Sequence, residues 1–344
     1  MRNCCFEDCT VRHIGWHAFD LGDGCLGNRI VGNEVHDLGG GGVRLNGANA
    51  SESPLLRTGN NHVTDNHIHD GGQVFHSAVG VLAMHSFGNV IAHNHIHDLF
   101  YSGVSCGWVW GYADSVSKNN RIEFNHIHGL GFGWLSDMGG IYTLGVQPAT
   151  ILRGNLIHDV EQARYGGWGI YLDEGSSHIQ VEENICHRLG CQPFNQHYGR
   201  ENMVRNNVFA FGKESIVSMS RAEEHLSFIF ERNVLLSDGT PFFMSGYKGD
   251  VKERNYVTDL NLIWSTAKAP PVLAKNPDNR KLGEPLDWEA WRKSGHDLHS
   301  VLADPLFRNP AKGDFTLARN SPAFALGFRA FSLKSVGPRP KGKR

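Results

Sequence analysis

The chain carries a recurring ten-residue pattern of polar and apolar positions, N-x-I-x-x-N-x-I-H-D. It stands at 28–37, 61–70, 89–98 and 120–129, and 150–159 keeps it with Thr in the first place. The third and eighth positions of these copies are Ile, Val or Leu, which favour short strands. Between them stands a polar position, the second Asn, where a strand can end in a bend. The pattern therefore predicts two strands in each repeat.

A second signal follows each copy and predicts a third strand. It is a Gly followed by residues that alternate in character, as in 42–45, 80–83, 103–106, 140–143 and 169–172. This alternation has the period of two that a strand with one buried face shows. When the second Asn of each copy is taken as an anchor, the repeats are spaced by about 29 residues.

Repeats of this length occur in several stacked folds, and the residue types distinguish them. Ankyrin and tetratricopeptide units need Ala- and Leu-rich helical stripes, and leucine-rich repeats need L-x-x-L-x-L; the sequence has neither. Short strands and turns remain, and they predict an all-β parallel β-helix of roughly nine or more coils. The anchor Asn is expected in the left-handed conformation at the bend, with its amide bonded to the Asn of the next coil as in a ladder.

The repeat fades towards the C-terminus, which divides the chain. We assign 1–265 to the β-helix and 266–331 to an extension, packed on the helix end, with a loop at 269–283, a short helix at Asp287–Lys293 and closing strands. Residues 332–344 form a basic tail that we expect to be mobile. At the other end the coil pattern begins at once, so we expect the chain to be truncated relative to a longer natural form.

Composition narrows the class of protein. The 344 residues carry 33 Lys and Arg against 35 Asp and Glu, a formal net charge of −2, which argues against a nucleic-acid partner. No apolar stretch approaches about 20 residues, so we expect no membrane-spanning helix, and no apolar signal segment opens this chain. The seven cysteines include no C-x-x-C pair and are expected to be free or buried thiols.

Histidine is frequent, with 20 residues, and much of the excess belongs to the repeat. The H-D positions are His36, His69, His97, His128 and His158. They recur once per coil at one phase, so we expect a structural row at a turn and no metal site, because a metal needs ligands that converge. The histidines two positions earlier, His67, His95 and His126, are expected to point to solvent. Scattered carboxylates would allow calcium, but nothing indicates it, and we expect no cofactor.

Two segments depart from the repeat by placing acids beside strands. They are L-S-D-M-G-G-I-Y-T at 135–143 and Y-G-G-W-G-I-Y-L-D-E-G-S-S at 165–177. Aligning the shared G-I-Y puts them on adjacent strands, about 4.8 Å apart. Asp137, before one strand, and Asp173, after the next, then border one groove, where two carboxylates can act as an acid and a base or nucleophile. Asp before Gly-Gly and Asp-Glu-Gly are also ordinary turn sequences, so a purely structural role stays open.

Aromatic and histidine side chains on these coils are candidates for binding a sugar. By strand alternation, Tyr142, Tyr171 and Asp173 should face outward, away from a core that contains Ile141 and Ile170. Flat rings exposed near Gly-rich turns suit stacking on sugar rings. The candidates for substrate binding are Tyr142, Tyr171, Trp168, Trp108, Trp110, His197, Tyr198, His76 and His85.

These segments, with N-H-I-H-D and H-Y-G-R-E-N, resemble right-handed parallel β-helix proteins that act on carbohydrates. The resemblance is to glycoside hydrolase family 141, which includes α-L-fucosidase and xylanase activities, and it covers roughly residues 12–211. It implies a hydrolase of a polysaccharide or its side chains with two catalytic aspartates, matched here by Asp137 and Asp173, with Glu174 as an alternate for the second. It also implies a secreted or periplasmic natural protein.

Two other functions fit the same sequence. A polysaccharide lyase on this fold would use a Lys, Arg, His or Tyr base, often with calcium; neither acid-bearing segment contains Lys or Arg, and Arg200 is the nearest candidate base. A non-catalytic β-helix would bind glycans without turnover. The leading prediction is a glycoside hydrolase in which Asp137 and Asp173 are the acid and the nucleophile or base, in either order.

Overall fold

The computed structural model describes residues 1–221, 223–245, 255–275 and 285–344, so part of the loop predicted at 269–283 lies outside the described residues. The chain winds in right-handed coils, and successive coils add strands to three parallel sheets. Within the described residues, these sheets contain 11, 11 and 10 strands. The predicted right-handed parallel β-helix is therefore confirmed.

The strands are short, and each sheet takes one from nearly every coil. Sheet 1 consists of Cys5–Glu7, Arg29–Val31, His62–Thr64, Val90–Ala92, Arg121–Glu123, Val146–Arg153, Ser176–Glu182, Gly199–Arg200, Asn202–Arg205, Phe228–Glu231 and Val257–Asp259. Sheet 2 consists of Thr10–Ile14, Glu34–Leu38, His67–Gly71, His95–Leu99, His126–Leu130, Leu156–Val160, Ile185–Leu189, Val208–Gly212, Val234–Ser237, Leu262–Ser265 and Val301–Leu302. Sheet 3 consists of Phe19–Leu21, Val43–Asn46, Val81–Met84, Val104–Gly107, Met138–Thr143, Gly167–Leu172, Phe194–Gln196, Val217–Met219, Phe243–Ser245 and Ala274–Lys275. Smaller elements are the paired strands Thr58–Gly59 and Ser86–Phe87 and the 3-10 turns Pro54–Leu56, Pro310–Lys312, Pro322–Leu326 and Leu333–Ser335.

The core is a set of columns of apolar side chains inside the coils. In sheet 1, Ile91 pairs in register with Ile122 of the next coil, and both are 0 % exposed. In sheet 2, Ile96 and Ile127 do the same. These are the two apolar positions of the repeat, so their predicted role in the core is confirmed. Truncating one such isoleucine to alanine would cost about 2–5 kcal/mol, because the stacked neighbours cannot fill the cavity.

Buried asparagines form two ladders at the corners between sheets. The longer ladder consists of Asn33, Asn66, Asn94, Asn125, Asn155, Asn184, Asn207, Asn233 and Asn261. Asn94 is typical: its Nδ2 donates to Oδ1 of Asn125 at 3.0 Å and to the carbonyl oxygen of Val63 at 2.8 Å. A shorter ladder joins Asn28, Asn61, Asn89 and Asn120 at another corner. The predicted amide ladder is confirmed.

The prediction that the anchor Asn takes the left-handed conformation is wrong. The residue before it does so instead, with φ of 66° at Gly32, 58° at Asp65 and 56° at His93. The anchor also donates its backbone N–H to the next ladder residue, as Asn33 does to Oδ1 of Asn66 at 2.9 Å. The ladder thus fixes the direction of the anchor backbone, and the sharp turn falls on its predecessor.

Histidines form two columns on the outer face of sheet 2; the H-D histidines stack in one row as predicted, but they lie on strands rather than at a turn. Column 1 contains His67, His95 and His126, and column 2 contains His36, His69, His97, His128, His158 and His187. Neighbouring rings within a column stack almost parallel, with centroids 4.8 Å apart for His67 and His95. Column 1 was expected to point to solvent, but its rings are half-buried against one another. Burial lowers the pKa of His95 to about 3.

Helix α1, Trp288–Lys293, begins at the predicted N-cap, where the Asp287 side chain accepts a hydrogen bond from the Ala290 amide at 2.8 Å. Trp291 of this helix is 0 % exposed and stacks on Phe243 with ring centroids 4.8 Å apart. The helix therefore closes the apolar interior beside the last coils. No helix in the described part of the chain is long and apolar enough to cross a membrane.

Two strands in the region where closing strands were predicted, Phe307–Asn309 and Asp314–Leu317, form an antiparallel hairpin. The hairpin and the residues after it pack on apolar side chains of the outer face of sheet 2, among them Val208, Val234 and Leu262. The hairpin thus lies on the side of the β-helix rather than on its end. It also meets this face at His187, whose ring centroid lies 5.1 Å from that of Phe315.

The basic tail, 332–344, is not the mobile segment that the sequence suggests. It lies along the outside of the β-helix and runs back towards the first coil. Arg339 forms a two-pronged ion pair with Asp65, from Nε to Oδ1 at 2.9 Å and from Nη2 to Oδ2 at 2.7 Å. Arg344 pairs with Asp8. The tail is held because carboxylates at the bends of early coils meet its cations.

Candidate active site

The two acid-bearing segments form adjacent strands of sheet 3 in the predicted register. Tyr142 of Met138–Thr143 pairs with Tyr171 of Gly167–Leu172. Their neighbours one position earlier are isoleucines of the core, so the tyrosines project from the outer face. The register confirms the alignment of the shared G-I-Y sequence.

The tyrosines project outward, but they are not exposed for stacking on a ligand. Tyr142 is 5 % exposed and Tyr171 is 3 % exposed. Their rings stack on each other with centroids 4.9 Å apart, and Trp168 packs on Tyr171 at 4.1 Å. Trp108 meets Tyr142 edge-on at 5.9 Å. These four rings form an aromatic layer that buries the ring faces and directs the two hydroxyls.

Both hydroxyls are aimed at Asp173. Tyr142 Oη donates to Oδ2 at 2.5 Å, and Tyr171 Oη donates to Oδ1 at 2.7 Å. His197 Nδ1 donates to Oδ1 at 3.1 Å. Burial alone would raise the pKa of this carboxyl, but the three hydrogen bonds outweigh burial and lower its pKa below the usual value. Asp173 is therefore held as a carboxylate.

Asp137 is placed at the groove by a tight turn. Its φ is 63°, and its carbonyl oxygen accepts a hydrogen bond from Tyr101 Oη at 2.7 Å. Gly166 of the next coil passes so close that a Cβ there would lie 2.8 Å from the Asp137 nitrogen. Burial, and then the charge of Asp173, raise the pKa of Asp137 above its usual value.

One phenol links the two carboxyl groups. Tyr171 Oη lies 2.7 Å from Oδ1 of Asp173 and 3.2 Å from Oδ1 of Asp137. A phenol has one hydrogen to donate, and the shorter distance gives it to Asp173. Asp137 can then hold the contact by donating from its own protonated carboxyl to the phenol oxygen. The geometry thus favours a neutral Asp137 beside an ionised Asp173.

Glu174, the alternate for the second acid, is arranged differently. Its Oε2 accepts a hydrogen bond from Tyr198 Oη at 3.1 Å. It lines the groove but has no hydrogen bond to the phenol that links the aspartates. Tyr198 therefore hydrogen-bonds Glu174 without itself lining the groove.

These side chains surround a groove with a volume of about 710 Å³, which we call the aspartate groove. It is lined by Trp108, Trp110, Asp137, Tyr142, Tyr165, Gly166, Trp168, Tyr171, Asp173, Glu174, Cys191, Gln192, Asn195, His197, Glu214, Ser218, Ser220 and Met244. At its rim Trp110 is 61 % exposed and Tyr165 is 53 % exposed. Two open ring faces thus stand beside the paired acids.

Three predicted substrate-binding residues, Tyr198, His76 and His85, do not line this groove. His76 packs on Phe100 and against Trp134, with its Nδ1 donating to the carbonyl oxygen of Gly72 at 2.6 Å. His85 likewise lies outside the lining. His76 and His85 stand on earlier coils, whereas the groove is centred on the acid-bearing coils and extends towards later ones.

The later coils supply polar lining residues that the sequence analysis missed. Asn195 and Ser218 continue the outward column of Tyr171 on the next two strands, with Ser218 Oγ donating to Asn195 Oδ1 at 2.6 Å. Gln192 accepts a hydrogen bond from Trp168 Nε1 at 2.7 Å and donates to Glu214 at 3.1 Å. Extending the G-I-Y alignment of outward-facing positions by two coils would have identified Asn195 and Ser218 from the sequence.

A larger cleft, of about 820 Å³, lies between the C-terminal hairpin and sheet 2. It is lined mainly by apolar side chains such as Phe315, Phe328 and Phe331, and its only carboxylate among the described residues is Asp314. It therefore lacks paired acids. Among the described residues, the groups of His and Glu side chains close enough to share a metal ion lie in neither cleft but on the outer face of sheet 2.

The comparisons with known proteins agree with the fold. Residues 2–133 match the family model described as a right handed beta helix region. No curated protein matches the chain.

Solved structures give the same architecture. One called "Glycoside hydrolase" is 26 % identical, with a TM-score of 0.50, over 54 % of this chain and 33 % of that one. A double mutant of the tailspike protein of E. coli bacteriophage HK620, in complex with a pentasaccharide, is 11 % identical with a TM-score of 0.51, over 84 % of this chain and 56 % of its own. The chain thus spans about a third of the first protein and about half of the second, and the likeness is to a right-handed parallel β-helix.

Proposed function

We propose that this protein is a glycoside hydrolase that cleaves glycosidic bonds in a polysaccharide or its side chains. The observation that carries the proposal is the pair Asp137 and Asp173, joined through Tyr171 and shifted in opposite directions in pKa. Two carboxyl groups held in different protonation states are what glycoside hydrolysis requires. The 26 % identical glycoside hydrolase of the same fold supports this choice.

The shifts assign the roles. Asp137, with its raised pKa, holds its proton to higher pH than an ordinary carboxyl does, which suits it to donate to the leaving oxygen. Asp173, with its lowered pKa, is an anion able to attack or stabilise the anomeric carbon. Glu174 takes no part in the proton transfer in this assignment.

The spacing of the acids favours a retaining reaction. Both Oδ1 atoms lie within hydrogen-bond distance of one phenol oxygen, so they are no more than about 6 Å apart. Retaining enzymes hold their carboxyls roughly 5–5.5 Å apart, and inverting enzymes roughly 6.5–9.5 Å apart. Asp173 would bond to the anomeric carbon as the glycosidic bond breaks and Asp137 protonates the leaving oxygen. Water would then attack, returning a proton to Asp137 and releasing Asp173.

The rim of the groove offers surfaces for a sugar. The open faces of Trp110 and Tyr165 can stack on sugar rings, and Gln192 and Asn195 can hydrogen-bond hydroxyls. The buried tyrosines have a separate task, which is to hold the charge of Asp173.

A panel of aryl glycosides and polysaccharides with product analysis tests the proposal. We expect hydrolysis of at least one glycan, with the product first released in the anomeric form of the substrate, and a rate lower by roughly 10²–10⁴-fold in Asp137→Asn and in Asp173→Asn. Circular dichroism should show both variants folded. Products with an unsaturated sugar would indicate a lyase, and binding without turnover across the panel would indicate a non-catalytic protein; either would overturn the proposal.

A further inference from the structure

The two histidine columns approach each other closely where His67 faces His97. Their Nε2 atoms are 2.7 Å apart. The Nδ1 of His97 lies 2.7 Å from Oδ2 of Asp98, and the Nδ1 of His67 lies 3.0 Å from Oε2 of Glu34. A carboxylate only accepts hydrogen bonds, so these contacts require a proton on Nδ1 of each ring.

Two neutral imidazoles held in this way direct their Nε2 lone pairs at each other. Such a contact between two acceptors is unfavourable, and a cation between them removes the repulsion. His95 stacks on His67 and lies tilted beside His97, with centroids 4.8 Å and 4.4 Å away. One ring nitrogen from each of the three residues lies within 4.8 Å of the others.

We propose that His67, His95 and His97 bind one divalent transition-metal ion of the zinc type. Three imidazoles with an open fourth position are an established way to hold Zn²⁺, with Zn–N distances of about 2.0–2.1 Å. A tetrahedral ion needs ligand nitrogens roughly 3.3 Å apart. On binding, the Nε2 atoms of His67 and His97 would therefore move slightly apart, and the ring of His95 would move closer to them. The side chains of His67 and His97 are 34 % and 14 % exposed, which gives an ion access from solvent.

The neighbouring groups make one ion the expected number. His95, His126 and His128 form a second possible set, but it shares His95 with the first. A third set shares His67 and includes His69, whose two ring nitrogens both face carboxylates, Asp70 at 2.7 Å and Glu34 at 2.8 Å. His69 is thus already satisfied by ion pairs. An ion bound by His67, His95 and His97 therefore takes one ligand from each of the other two sets, so neither of those can bind a second ion through three residues.

Asp98 is a positioning residue for this site. Its contact with Nδ1 of His97 fixes the tautomer in which Nε2 is the ligand atom. Carboxylates placed in this way behind metal-binding histidines typically improve metal affinity by about 10–100-fold. The same contact recurs at His69–Asp70 and His158–Asp159, so Asp98 distinguishes a metal site from structural packing only through its effect on metal affinity.

The test uses the untagged chain, dialysed against a chelator and titrated with Zn²⁺ by calorimetry and with Co²⁺ by visible absorption. We expect one ion per chain, a Co²⁺ spectrum of tetrahedral nitrogen ligation and a higher melting temperature with Zn²⁺, because the ion binds the folded state. His97→Gln should abolish the tight site, and Asp98→Asn should weaken it by about 10–100-fold.

Two controls locate the ion. His62→Gln removes an exposed histidine of sheet 1, and His126→Gln breaks only the neighbouring set; both should bind as the unaltered chain does. Metal-free melting curves check that each variant folds, and Asp98→Asn keeps every ligand in place. The proposal fails if the unaltered chain shows no saturable binding, if His97→Gln binds as tightly as it, or if His126→Gln loses binding to the same extent.

Discussion

At the scale of the residue, the Tyr171 hydroxyl contacts both Asp137 and Asp173 and so influences the charge of each. The Tyr171 hydroxyl donates to Oδ1 of Asp173 at 2.7 Å and has a longer contact of 3.2 Å with Oδ1 of Asp137. The sequence places both acids at the groove through a shared G-I-Y register. It does not reveal the phenol link, because strand alternation says that Tyr171 projects outward but not that Tyr142 and Trp168 cover its ring.

The pH dependence of the reaction follows from these shifts. Activity needs Asp173 ionised and Asp137 protonated. It should rise with pH through the pKa of Asp173, below the ordinary value of about 3.9, and fall through the pKa of Asp137, above that value. Tyr171→Phe removes a donor from Asp173, so its pKa rises. The acid limb of a plot of kcat/KM against pH should then move to higher pH, with a loss of about 10²-fold at the optimum.

Tyr112→Phe is the matched control, since it deletes a phenol that bonds to Glu223 outside the groove lining. Its profile should overlie that of the unaltered chain. An acid limb that stays in place in Tyr171→Phe would show that the phenol does not set the charge of Asp173.

At the scale of the element, the repeat specifies its own stacking. Each turn of the β-helix places the same residue type above its copy, so asparagines meet asparagines and histidines meet histidines. The sequence predicts the amide ladder because it follows from the period alone. It cannot say which residue of the bend turns left-handed, since that depends on the backbone bond from Asn33 to Asn66, a contact between coils.

The ladder should carry much of the stability of the stack. Asn94→Ala deletes two donated hydrogen bonds and leaves the Asn66 amide and the Val63 carbonyl without their partner in a buried site. Each stranded group costs about 1–3 kcal/mol, so we expect a loss of about 2–4 kcal/mol in the free energy of unfolding, measured by urea titration. Asn309→Ala, at an exposed position without a side-chain cap bond, should change it by less than about 0.5 kcal/mol. Equal losses in the two variants would contradict the ladder's role.

At the scale of the whole molecule, the C-terminal tail fastens early coils to the rest of the chain. Its composition predicts a mobile basic segment, and composition cannot reveal carboxylates that lie hundreds of residues away along the chain. Asp65 is one of these: its side chain is 0 % exposed and depends on Arg339 for its charge partner. Burial would raise the pKa of Asp65, but the hydrogen bonds and charge of Arg339 outweigh it and lower that pKa.

Arg339→Gln should therefore cost about 3 kcal/mol at neutral pH, because it strands a buried carboxylate. A carboxyl with a lowered pKa in the folded state stabilises the fold above its unfolded value and loses that effect as pH falls through the folded value. The difference in melting temperature between the variant and the unaltered chain should thus shrink below about pH 4. Arg319→Gln, at an exposed position, is the control. A difference that stays constant with pH would argue against this pairing.

The leaving-group dependence of the two aspartate variants directly tests Asp137 as the acid and Asp173 as the nucleophile. Asp137→Asn removes the proton donor, so it should fail on glycosides with poor leaving groups and recover much of its rate on aryl glycosides with acidic phenols, which need no protonation. Asp173→Asn should be impaired on all of them by a similar factor. An Asp173→Asn variant that recovers with better leaving groups, or an Asp137→Asn variant that does not, would contradict the assignment of acid and nucleophile.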